Sequence, residues 1–147
     1  MEQNEELYEI EVVYKSPPFS SMKRVKSPED IVMVFRELIT EEKIDYKEFF
    51  VVALLNRANA LLGVSKISVG SACGIDVNVR EIFQLALKTN ATGIILCHNH
   101  PSGNLNPSNA DITMTKRIIS VCGFCDLVLL DHILLTKEGY TSLMEMI

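Results

Sequence analysis

FFVVALLN, residues 49–56, is apolar from Phe49 to Leu55 without a break. The reading of this stretch decides the fold. A continuous apolar run of strand length, with no polar alternation, belongs to a central strand covered on both faces. After the polar break Asn56-Arg57-Ala58-Asn59, a second run, ALLGVSKISVG at 60–70, is expected to return as its antiparallel partner. ATGIILC at 91–97 reads as another buried strand and LVLLDHILL at 127–135 as a last one. Near the start, YEIEVVY at 8–14 sets Tyr8, Ile10, Val12 and Tyr14 on one face and Glu9 and Glu11 on the other, the pattern of an extended strand. SPPFSS at 16–21 cannot continue regular structure and reads as a loop.

Helices fill the intervals. Ser27-Pro28-Glu29-Asp30 offers an N-cap, a proline in the first turn and two acids near the positive end of a helix. Ile31, Val34, Phe35 and Leu38 then form one apolar face, ending near Ile39. Asn78 with Glu81 three residues on resembles a capping box and opens a helix through IFQLALK, and Ser108 starts another that runs to about Val121. Strands alternating with helices predict an α/β domain, a mixed sheet flanked by helices. Residues 1–26 are expected to supply a strand and a loop to the same domain, and residues 27–147 its body.

Composition narrows the function. The chain of 147 residues is 48% hydrophobic and 22% charged, within the range of globular proteins. No apolar run approaches the ~20 residues that span a bilayer, and the acidic start MEQNEELYEI lacks the form of a secretory signal. These features predict a cytoplasmic protein with no membrane association. A net charge of −5 argues against a dedicated nucleic-acid binder. The cluster Lys23, Arg24 and Lys26 is better read as a solvated linker than as a phosphate track. Cys73, Cys97, Cys122 and Cys125 are expected to be reduced, and Cys122-x-x-Cys125 has no second pair to complete a zinc knuckle, so it reads as packing.

The chemistry is concentrated in CHNHPSGNLNPSNAD, residues 97–111. In an extended chain His98 and His100 point to the same side, so both imidazoles can reach one metal ion, while Asn99 points away. The turn-rich PSGNLNP folds the chain back, and Asp111, one turn into the following helix, can arrive as a third ligand. Two imidazoles and a carboxylate leave a fourth tetrahedral position for water, as in catalytic zinc sites. Asp111 would also be favourable where it stands simply as a partner of the N-cap Ser108. A base is still needed. It must be a carboxylate from elsewhere in the chain, although Glu81 is accounted for by its cap and Glu41 and Glu42 by a charged linker.

His98-x-His100, seven residues, Ser108, two residues and Asp111 resembles the JAMM motif of MPN-domain metallopeptidases, whose fold is a cytidine-deaminase-like sandwich. HNHPSGNxxPSxxD is similar, more narrowly, to the bacterial RadC family. The resemblance runs from the SPEDIVMVF helix through EFFVVALLNRANALLG and REIFQLAL to LLDHILL, without the N-terminal helix-hairpin-helix-type domain the full family commonly carries. It implies His98, His100 and Asp111 as ligands of Zn2+, Glu48 as general base and Ser108 as a hydrogen-bond donor to the tetrahedral oxyanion. The implied reaction is hydrolysis of an amide or isopeptide bond in a peptide or protein substrate.

Two other readings stand beside this one. Some MPN relatives are metal-free binding modules, although such a module has no need of two histidines and an aspartate. RadC proteins also carry a historical label of DNA repair, and a partner could recruit the domain to DNA. The H-x-E and P-C-x-x-C signatures of zinc base deaminases are absent. Asp131-His132, which interrupts an apolar strand, is either a structural hydrogen-bonded pair or a support for the metal site. The sequence leaves oligomeric state and substrate open.

Overall fold

A computed structural model of the chain describes residues 6–67 and 76–147. Cys73 and the end of the 60–70 run lie outside the described residues. Five strands form one sheet, β1 (Phe50–Leu55), β2 (Leu61–Lys66), β3 (Gly93–Asn99), β4 (Val128–Leu135) and β5 (Tyr140–Ser142), in the order β2-β1-β3-β4-β5. β3 and β4 are parallel and every other neighbouring pair is antiparallel, so the sheet is mixed. The helices are α1 (Pro28–Leu38), the short α2 (Glu41–Ile44), α3 (Val79–Lys88) and α4 (Asn109–Phe124).

β1 explains the layering. Its alternate residues enter two separate cores: Phe50, Val52 and Leu54 pack with Ile82, Phe83 and Ile118 of α3 and α4. Val51, Ala53 and Leu55 pack on the other side with Ile31, Val34 and Phe35 of α1. All six β1 side chains are buried, as the unbroken apolar run requires. Among the described residues no helix is long and apolar enough to cross a membrane.

One irregularity bears on the site. Gly93 and Ile94 of β3 pair with Val128 and Leu129 of β4, but Ile95 pairs with Asp131, so Leu130 is a bulge. Gly93 leaves room for it, since a Cβ there would stand 2.7 Å from Leu130 Cδ1. Strand faces alternate, and beyond the bulge the parity of β4 is reversed. Asp131 therefore lies on the α1 face beside Ile95, and His132 on the α4 face beside Leu96.

Three expectations need correction. Residues 8–14 do not join the sheet, and Tyr8, Ile10 and Val12 are exposed. Period-two alternation describes how a strand would divide its faces, but a strand also needs a partner to accept its backbone hydrogen bonds. Glu41 and Glu42 are not in a plain linker. They open α2, with the Lys43 and Ile44 amides donating to Thr40 O at 2.9 Å. LVLLDHILL is not the last strand either. Thr136–Gly139 turns the chain into β5, and Gly139 N donates to Thr136 Oγ1 at 3.2 Å.

Candidate metal centre

β3 carries the first ligand candidate. Ile94, Leu96 and His98 alternate toward α4, and Cys97 and Asn99 toward α1. The alternation persists one residue past the strand, and His100 Nε2 lies 3.2 Å from His98 Nε2. Pro101-Ser102-Gly103 then turns the chain back: Gly103 N donates to His100 O at 3.0 Å, with Gly103 at φ 81°, where a side chain would be strained. The turn brings Asn104 O to His100 Nδ1 at 2.8 Å. α4 begins at once, capped by Ser108, whose Oγ accepts from Asp111 N at 3.0 Å while Ser108 N donates to Asp111 Oδ2 at 2.8 Å. This reciprocal cap aims the Asp111 carboxylate at the histidines, 3.3 Å from each Nε2.

The fourth member comes from the segment that leads into β1, where Glu48 stands two residues before Phe50, the partner of His98 in β3. Ligand atoms of Glu48, His98, His100 and Asp111 all lie within 4.8 Å of one another. His98 and Asp111 are fully buried, whereas Glu48 and His100 retain exposed flanks that open the centre to solvent. The Phe50 ring stacks on His98 at 6.2 Å between centroids and closes the inner wall.

Hydrogen bonds fix the protons. A backbone carbonyl only accepts, so His100 Nδ1 carries hydrogen for Asn104 O, and Nε2 is the ring atom turned toward His98 and Asp111. On the other side, Thr115 Oγ1 gives its single hydrogen to Asp111 O at 2.7 Å. It must then accept from His132 Nδ1, 2.7 Å away, and His132 Nε2 accepts from His98 Nδ1 at 2.8 Å. His132 is neutral because burial pushes its pKa well below the ordinary histidine value. His98 therefore donates through Nδ1 and turns Nε2 toward His100 and Asp111.

Burial favours the protonated form of Asp111, but the neighbouring His98 ring and the Ser108 donors outweigh it and hold the carboxyl below its usual range. Its Oδ1 is buried and makes no hydrogen bond. Two imidazole Nε2 atoms and the Asp111 carboxylate thus converge, His98 Nε2 and His100 Nε2 at 3.2 Å and each at 3.3 Å from a carboxylate oxygen. Such a donor set fits a divalent cation that takes nitrogen and oxygen ligands.

Glu48 and Ser108 flank this set. Partial loss of hydration raises the Glu48 pKa, against a smaller opposing effect of the histidines. Ser108 Oγ accepts from Asp111 N in the cap, and its hydroxyl lies beside the Asp111 carboxylate, whose pKa it helps to lower.

Two supporting residues, Asn99 and Thr115, were not identified from sequence as such, and the pair Asp131-His132 divides between the two roles expected of it. Asn99 is fully buried on the far face, where its Oδ1 accepts from Phe49 N at 2.7 Å and its Nδ2 donates to Ile44 O at 2.8 Å and Lys47 O at 2.9 Å. It pins the segment that carries Glu48. The sequence signal was a polar side chain in a buried strand, which must find partners. Asp131 and His132, taken together as a pair, point to opposite faces of β4. Asp131 Oδ1 accepts from Ser142 Oγ at 2.7 Å and from His132 N at 2.8 Å, a structural role, whereas His132 touches His98. Thr115 stands one turn beyond Asp111 and attracted no attention in the sequence. Cys97 and Cys122 are buried free thiols and Cys125 is half-buried, with burial pushing Cys122 up to about 11, in keeping with packing.

A family model for the RadC-like JAB domain matches residues 25–146. A UPF0758 protein of Flavobacterium johnsoniae is 39% identical over 124 residues, covering 84% of this chain and 53% of that protein. One from Clostridium acetobutylicum is 38% identical over 140 residues, 95% of this chain and 58% of the relative. Another, from Thermosynechococcus vestitus, is 44% identical over 98 residues, 67% of this chain and 39% of the relative. The chain spans about half the length of the curated relatives it matches.

Proposed function

The chain belongs to the RadC-like JAB domain family, and from that premise we propose that its buried cluster is the centre of a zinc-dependent hydrolase that cleaves an amide or isopeptide bond. His98, His100 and Asp111 hold the zinc. The observation that carries this reading is the convergence of two imidazole Nε2 atoms and the Asp111 carboxylate, whose buried Oδ1 makes no hydrogen bond. When bound, zinc supplies a Lewis acid that lowers the pKa of water toward ~7 and polarises a carbonyl.

The protein's own groups do the rest. Glu48, with its raised pKa and exposed flank, takes a proton from the attacking water as oxygen adds to the carbonyl carbon. The Ser108 hydroxyl donates to the oxyanion that develops. When the C–N bond breaks, Glu48 returns the proton to the departing amine, and no covalent enzyme intermediate forms. Peptides and proteins are the substrate class, reached through the open Glu48 and His100 side of the cluster.

The test begins with purification of wild type and His98→Ala without chelator and elemental analysis of each. About one zinc per chain in wild type and little in the variant is expected. Glu48→Gln should then retain zinc and lose hydrolysis of peptide and isopeptide substrates. No metal in wild type after zinc is added and the excess removed would leave a binding module as the better account.

A further inference from the structure

His132 and Thr115 lie behind the proposed ligands and touch neither Glu48 nor the solvent-facing side. Both are fully buried, as are His98 and Asp111. The four residues form a hydrogen-bonded circuit: His98 Nδ1 to His132 Nε2 at 2.8 Å, His132 Nδ1 to Thr115 Oγ1 at 2.7 Å, and Thr115 Oγ1 to Asp111 O at 2.7 Å. The circuit ends on a carbonyl, which cannot donate, so every hydrogen along it runs one way.

Resting on the metal-centre reading above, we infer that Thr115 and His132 are positioning residues that set the tautomer of His98 and so decide whether its Nε2 can bind metal. A ligating histidine commonly donates its other N–H to a carboxylate, carbonyl or water. Here the acceptor is a second imidazole, which can present either a lone pair or an N–H. Something must select between the two, and Thr115 does so by demanding the hydrogen of His132 Nδ1. Without that hydroxyl, His132 is free to carry its hydrogen on Nε2. It would then face His98 Nδ1 as a donor and push the His98 hydrogen onto Nε2, the atom the metal needs. The circuit also couples two ligands from different elements, since His98 on β3 and Asp111 on α4 are joined through it.

Thr115→Val and Thr115→Ser test this without touching a ligand. Valine keeps the volume and removes the hydroxyl, and serine restores it. His132→Leu and His132→Gln form a second pair, in which glutamine can still offer an acceptor to His98. Zinc affinity is measured by competition with a chromophoric chelator, and the His98 tautomer by long-range 1H–15N correlation in the metal-free protein. Thr115→Val and His132→Leu are expected to bind zinc about 10–100-fold more weakly, the usual effect of removing a ligand's hydrogen-bond partner. Thr115→Val should also move the His98 hydrogen toward Nε2. Thr115→Ser and His132→Gln should stay within about threefold of wild type. A Thr115→Val protein with wild-type zinc affinity and an unchanged His98 tautomer would overturn the inference. Failure of wild type itself to bind zinc would instead sink the metal reading on which it rests.

Discussion

Ser108 caps α4, its oxygen accepting from Asp111 N, and in the proposed reaction its hydroxyl also donates to the oxyanion. Ser108→Ala removes both. Loss of the cap should cost about 1 kcal/mol of stability in chemical denaturation, and loss of the oxyanion donor about 10²–10³ in kcat. Ser108→Thr should keep most of each, and an alanine variant of unchanged kcat would reduce the residue to a cap. At this scale the sequence was most legible for His98, His100 and Asp111, since strand period two and the first helical turn place them with little tertiary information. His132 was less so. Alternation assigns faces only along a regular strand, and nothing in LVLLDHILL announces that Leu130 bulges.

The elements explain how Glu48, the proposed base, is held. Glu48 precedes β1 and has no regular structure of its own, so its position depends on Asn99 reaching across from β3 to three backbone groups. Asn99→Ala would leave those buried groups unpaired, at about 1–3 kcal/mol for each one that finds no water. Metal content should survive in the folded fraction while hydrolysis falls, because the ligands are held by other contacts. Equal loss of zinc and activity would count against this division. At α1, Asp30 accepts from Lys26 N at 2.8 Å and Ser27 N at 3.2 Å, and these bonds, the Lys26 amide foremost, lower its pKa from 3.8. A carboxylate with a depressed folded pKa adds stability that is present above its unfolded pKa and lost as pH falls through the folded one. Asp30→Asn should therefore be less stable than wild type at pH 6, with the gap closing below about pH 4, as read from urea midpoints. Helix starts were legible because capping is local, whereas α2 and β5 were missed because such short elements are fixed by tertiary contacts.

For the molecule as a whole, the two cores and the centre lie within residues 25–147, and residues 6–20 stay exposed. Deleting residues 1–16 should change unfolding free energy by less than about 0.5 kcal/mol and leave bound zinc unchanged. A larger loss would mean that the segment packs after all. YEIEVVY misled because its alternation was real and its partner was not. FFVVALLN did not, because burial on both faces demands two layers and therefore most of the fold. The bulge in β4 has one more consequence, which is arithmetical. Leu129 and His132 are three positions apart, an odd interval that a regular strand assigns to opposite faces, yet both face α4 because Leu130 goes uncounted in the pairing. The centre is thus specified by a tally along the chain as much as by its chemistry. Removing Leu130 altogether would keep His132 beside His98, whereas a slip that counts Leu130 back in would turn the imidazole away and swing the Asp131 carboxylate into its place, with every side chain of the site still present.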